Sequence, residues 1–282
     1  MLTLVGFTEV LKTIYTLSYP FIQSSSPPYQ KLKNALKEHL SQINPEVTRS
    51  KEIEPEFIIS GDRLTSLLQI MDIEKYNKNM NSPHFINEKA LHRVRKGFNY
   101  LNKNDSQLGD TFRVVVDTVA VTTAVTTPGS ASSHKAVGMI WVQPDNNWSD
   151  KDIVESLVHE MTHTLLYLDE QCYGHFHKDV ALNDEKAWVP SAIRNTRRPV
   201  YGVVHSIIVA TELLSLRKRL GFNEDDISIH GRSSELFKKT NYALNTLKQQ
   251  QLSWELLTPR MKSLINRSDE ILTPDLLSNI ST

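Results

Sequence analysis

Residues 149–170 read Ser149-Asp-Lys-Asp152-Ile153-Val154-Glu-Ser-Leu157-Val158-His159-Glu160-Met161-Thr-His163-Thr-Leu165-Leu-Tyr-Leu168-Asp-Glu170. This stretch carries its own helix punctuation. Ser149 is a good N-cap, Asp152 stands where the reciprocal capping acid belongs, and Trp148 with Ile153 can form a hydrophobic staple. Val154, Leu157, Val158, Met161, Leu165 and Leu168 recur at helical spacing and make one apolar stripe. At about 100° per residue His159 and His163 fall opposite that stripe, on one face and one turn apart. Together with Glu160 they spell His-Glu-Met-Thr-His, the HExxH pattern, in which two imidazoles of one helix face converge on a single cation.

Upstream, Phe112–Thr123 is dense in β-branched residues and reads as a strand; Ala136–Gln143 reads as a second. With the turn-rich Thr127–Ser133 between them, they are expected to pair as a hairpin, and that turn is a candidate lid. The second strand, just before the HExxH helix, is the expected edge for an extended substrate. Before these lie helical patterns at the N-terminus, at Tyr29–Ile43, from Gly61-Asp62 onward and at Asn87–Leu101, the last with a Lys/Arg-rich face read as solvated surface. The fold class expected is therefore α+β, predominantly helical, with a small antiparallel sheet beside the metal-binding helix. We divide it into a helical region 1–110, a catalytic core 111–222 and C-terminal helices 223–282, packed as one domain.

Downstream, Pro199 opens a helix, Val200–Leu220, that is apolar nearly all round and is ended by Gly221. His205 and Glu212 are its only imidazole and carboxylate. They lie seven residues apart and share a face. Each needs a partner, because an unpartnered buried imidazole or carboxylate costs several kcal/mol. For a third ligand to the HExxH ion, His175, His177, Asp184 and Glu185 are nearby candidates, and His205 or Glu212 of this apolar helix is the stronger one. The long-spacer zincin pattern fails, since Leu166 and Asp169 stand where it needs Gly and His.

Composition narrows the function class. Lys plus Arg and Asp plus Glu both number 32, so there is no basic excess of the kind nucleic-acid binding uses. The single cysteine, Cys172, excludes an intrachain disulfide and a cysteine-rich zinc site. The opening MLTLVGFTEVLKTIYTLSYPF lacks a basic start and carries Glu9 and Lys12, so it reads as an amphipathic helix rather than a signal peptide. No stretch of about eighteen uninterrupted apolar residues occurs, so no membrane span is expected. A cytoplasmic enzyme without nucleic-acid or membrane partners is the expectation.

One further segment, Ser191-Ala-Ile-Arg194-Asn-Thr-Arg-Arg198-Pro199-Val-Tyr-Gly202-Val-Val-His205, follows the VHEMTH helix. The two together resemble the HExxH-type, 2-oxoglutarate-dependent β-hydroxylases that modify ribosomally made peptides, which pair a VHExxH helix with an S-x-x-R-x-x-x-R-P-x-x-G-x-x-H stretch. The likeness covers residues 155–215; Met161 stands where that family often has Leu. The resemblance implies Fe(II) held by His159, His163 and His205, with 2-oxoglutarate and O2 as cosubstrates and a precursor peptide as substrate, hydroxylated at a side-chain β-carbon. The remote carboxylate of 2-oxoglutarate suits a guanidinium, for which Arg198 is the first candidate and Arg194 the second. Glu160 then orients a ligand or cosubstrate. The rival class is a zinc metallopeptidase, in which Glu160 is the general base toward a metal-bound water.

Overall fold

The structure, a computed structural model, describes residues 1–22, 29–73, 84–123, 128–177, 184–193, 196–223 and 229–277, with the backbone alone at 84–87. It is α+β and mostly helical. The helices are α1 (Leu2–Val5), α2 (Phe7–Ser18), α3 (Tyr29–Ile43), α4 (Asp62–Ile70), α5 (His84–Asn104), α6 (Ser106–Val115), α7 (Asp150–Tyr173), α8 (Val200–Leu220), α9 (Ser233–Gln249), α10 (Gln251–Glu255) and α11 (Pro259–Ile271). The strands are β1 (Glu56–Ile58), β2 (Thr118–Val121), β3 (Gly129–Ser132), β4 (Met139–Gln143), β5 (Val189–Pro190) and β6 (Arg197–Arg198). The chain forms two compact units, Glu9–Leu168 and Met1–Thr8 with Asp169–Thr282. The division falls within α7 and does not follow the boundaries at 110 and 222 that the sequence suggests.

In the unit Glu9–Leu168, a four-stranded sheet runs in the order β1-β2-β4-β3. The pairs β1–β2 and β2–β4 are parallel, and β3 alone is antiparallel, against β4. Every residue of β2 and β4 is buried, as expected of strands covered on both faces. Leu64, Leu67, Leu68 and Met71 of α4 and its end pack with Ala120, Met139 and Trp141 of the sheet. Trp141 Nε1 donates to Thr122 Oγ1 at 2.9 Å, and that hydroxyl donates to Gln143 Oε1 at 3.0 Å, so the buried polar atoms of the strand ends satisfy one another.

Several expectations about the sheet are corrected. Phe112–Val115 is helical, not strand: Asp105 caps α6 by accepting from Leu108 N at 3.0 Å, and Leu108, Phe112 and Val115 bury one helical face. Tertiary packing outweighs the β-branched preference there. The strands at 118–121 and 139–143 are parallel rather than a hairpin, because β3 lies between them in sequence and takes the outer place beside β4. The small sheet is therefore mixed, not antiparallel. Consequently β4 is internal, and the expected substrate edge at 136–143 does not exist. The expected lid is largely this strand: residues 129–132 are β3, while Thr127 lies outside the described residues.

α7 begins as its sequence indicates. Asp152 N donates to Ser149 Oγ at 3.1 Å and Ser149 N donates back to Asp152 Oδ2 at 2.8 Å, a reciprocal capping box. All six residues of its apolar stripe are buried. Gly97 of α5 abuts it so closely that a Cβ there would lie 2.7 Å from Ile153 Cγ2.

In the unit formed by Met1–Thr8 and Asp169–Thr282, α8 is the core helix. It is the only helix among the described residues long and apolar enough to cross a membrane, and 89% of that window is buried inside the protein. Gly221 ends it at φ 62°, ψ 41°, with its N–H on Arg217 O. Glu212 does not partner His205. Its carboxylate receives the Met1 ammonium, Thr3 N at 2.9 Å and Thr3 Oγ1 at 2.8 Å.

Candidate metal centre

His159 and His163 sit on successive turns of α7 with ring centroids 5.0 Å apart and planes inclined by 57°. Both are partly buried, the His159 side chain to 15% exposure, so neither is a freely solvated surface histidine. One ligand atom from each of His159, Glu160 and His163 lies within 4.8 Å of the others. Ligand atoms this close on residues i and i+4 of one helix make the histidine pair a candidate for holding one divalent cation. Tyr167, one turn further along α7, stacks on His163 at 6.4 Å and 21° and stands edge-on to His134 at 6.4 Å.

Glu160 is the best-anchored member. It is 2% exposed, and Ser130 Oγ donates to its Oε1 at 2.7 Å while Ser132 Oγ donates to its Oε2 at 2.7 Å. Ser130 and Ser132 are two apart on β3 and therefore point to one face of the sheet. The edge strand thus holds both carboxylate oxygens by charge-assisted bonds. His159 Nε2 is 3.8 Å from Oε1. The two serines belong to the candidate site, and the sequence alone does not single them out. Their signal was alternation, S-x-S, inside a stretch whose Gly, Ser and Ala content reads as loop.

His205 of α8 falls in a second group. One ligand atom each from Glu170, His175 and His205 lies within 4.8 Å of the others. The ring of Tyr201 packs on His205 at 4.5 Å, and Phe176 packs on Tyr201 at 5.7 Å. Chain reversal places His175: α7 ends at Tyr173, Gly174 takes φ 69°, and Thr258 N holds His175 O at 3.0 Å. His175 Nε2 meets Asp169 Oδ2 at 2.9 Å, and Arg260 Nε donates to that same oxygen at 3.0 Å. Burial alone would push the Asp169 carboxyl up, but the bonds from His175 and Arg260 outweigh it and hold the group below its ordinary value.

The remaining candidates separate clearly. Arg198 is exposed, in β6, and its guanidinium lies over Gly202, where a Cβ would approach its Cζ to 3.4 Å. Gly202 therefore leaves room for the Arg198 head. Arg194 lies outside the described residues. His177, Asp184 and Glu185 are exposed, and Asp184 accepts from Lys186 N at 3.0 Å as the cap of a short 3-10 turn. No family model and no curated protein matches this chain.

Proposed function

We propose that this protein is a metal-dependent oxygenase, an Fe(II)/2-oxoglutarate hydroxylase acting on a β-carbon of a peptide side chain, with His159 and His163 as metal ligands. The observation that carries this reading over the peptidase is the Glu160 clamp. In a zinc peptidase the HExxH glutamate takes a proton from the metal-bound water and must offer it a lone pair. Here each carboxylate oxygen accepts a serine hydroxyl that fills one of its two lone pairs, and the two bonds anchor the group to β3. A carboxylate held in this way suits orientation of a neighbouring ligand better than proton shuttling.

Fe(II) with 2-oxoglutarate and O2 supplies the oxidation when bound. The chain's own contribution is placement. His159 and His163 present two imidazoles from one helix face. Ser130 and Ser132 hold Glu160 beside His159. The resemblance assigns Arg198, whose guanidinium lies over Gly202, to the distal carboxylate of 2-oxoglutarate. The resemblance would add His205 as a third ligand. Because His205 has Glu170 and His175 as its neighbours, the proposal rests on the His159–His163 pair.

Among the described residues β3 is the end strand of the sheet order, paired on one side by β4, and it carries the two serines that hold Glu160. An extended peptide added along its outer edge would run beside the metal-binding residues, with main-chain hydrogen bonds giving affinity. The test is incubation of the purified protein with Fe(II), 2-oxoglutarate and a candidate precursor peptide, read by mass spectrometry. Gain of one oxygen in the peptide with matching succinate is the expected result. Metal-dependent peptide cleavage without 2-oxoglutarate would assign the peptidase instead.

A further inference from the structure

We propose that Glu170, His175 and His205 form a divalent-cation site. The inference does not rest on the hydroxylase reading and stands if His159 and His163 bind nothing.

The first observation is the donor set. Two imidazoles and one carboxylate converge within 4.8 Å, and both histidines are buried, His175 to 0% and His205 to 2% exposure. Mixed nitrogen and oxygen donors of this kind select a transition-type ion such as Zn(II), Fe(II), Co(II) or Mn(II), whereas Ca(II) and Mg(II) favour all-oxygen cages. Two histidines with one carboxylate is also a set that leaves coordination positions open on one side of the ion.

A second observation points to a ligand independently. His175 Nδ1 is buried and makes no hydrogen bond among the described residues. Its other nitrogen, Nε2, is committed to Asp169, which Arg260 holds in turn. A carboxylate accepting from Nε2–H fixes the tautomer in which Nδ1 carries the lone pair. Carboxylate–histidine–metal relays are built in this way, with the acid orienting the ring and raising its donor strength. Without an acceptor role, a buried lone pair of this kind is destabilising. The Gly174 turn and the Thr258 N bond to His175 O keep the ring in place from the backbone side.

Cobalt(II) titration tests the site, using the full chain carrying His159→Ala and His163→Ala so that the HExxH pair is silent. We expect that variant to retain one bound Co(II) per chain after desalting, with a visible ligand-field spectrum of nitrogen and oxygen donors. Adding Glu170→Gln keeps the side-chain shape and removes the anionic donor; it should weaken Co(II) binding at least tenfold. Adding His175→Ala should abolish binding, with circular dichroism confirming the fold. If His175→Ala unfolds the chain, Glu170→Gln alone decides. The proposal is overturned if the His159→Ala/His163→Ala protein binds no Co(II), or if Glu170→Gln leaves the affinity unchanged.

Discussion

Ser132 Oγ donates to Glu160 Oε2 at 2.7 Å, so the glutamate of the HExxH helix is tied to the edge strand of the sheet. With the matching bond from Ser130, the carboxylate is buried and ionically solvated by two hydroxyls rather than by water. Removing one donor leaves a buried charge short of a partner, which costs about 1–3 kcal/mol. Ser130→Ala and Ser132→Ala are each expected to lower stability by about that amount in chemical denaturation. Glu160→Gln in the Ser130→Ala/Ser132→Ala background should cost less than in the wild type, because the partners are already gone. Equal costs in both backgrounds would show that the clamp carries no coupling energy.

Gly202 makes room for the Arg198 guanidinium. In Gly202→Val the added side chain must displace that head, which is flexible, so the fold should tolerate it with little change in melting temperature. Seating of the guanidinium should not survive. The KM for 2-oxoglutarate is expected to rise about tenfold or more, as for Arg198→Lys, which replaces a two-pronged donor by a point charge. An unchanged KM in both variants would remove Arg198 from the cosubstrate site.

Close packing of α5 on α7 positions the histidine pair. A methyl at Gly97 would come to 2.7 Å from Ile153 Cγ2. Gly97→Ala is accordingly expected to destabilise by about 1–3 kcal/mol through overpacking, despite the better helix propensity of alanine. Thermal melts of the variant against the wild type decide this; a more stable variant would show that the two helices can part at no cost.

Acid stability should depend on Asp169. Burial raises its pKa, but the bonds from His175 and Arg260 lower it further, so the folded value lies below the ordinary 3.8. A depressed carboxyl binds fewer protons in the folded than in the unfolded chain. Its stabilisation is therefore complete above the ordinary value and is lost as pH falls through the folded one. Melting temperatures measured from pH 6 downward should drop more steeply below about pH 4 for the wild type than for Asp169→Asn. Parallel curves would contradict the assignment.

Helices were legible where their ends are written in side-chain chemistry. The Ser149–Asp152 box, the αL Gly221 and the stripe from Val154 to Leu168 are local signals, and α7 and α8 follow them. The sheet was not legible in the same way. β3 is Gly-Ser-Ala-Ser and owes its strand state to pairing with β4, and the Phe112–Val115 run is drawn into α6 by the Asp105 cap and by burial of Phe112. For the site, spacing identified His159 and His163, because i and i+4 on a helix leave little freedom. The donors to Glu160 and the neighbours of His205 come from other elements, and no local spacing encodes them. Glu170 carried a faint signal, lying two helical turns after His163.

On the proposed function, His159 and His163 hold a ferrous ion that takes 2-oxoglutarate. The most direct measurement is an anaerobic titration of the protein with Fe(II) and then 2-oxoglutarate, followed by visible absorption. We predict a charge-transfer band that saturates at one equivalent in the wild type and disappears in His159→Ala and in His163→Ala. No band in the wild type, or a band unaffected by either substitution, would contradict it.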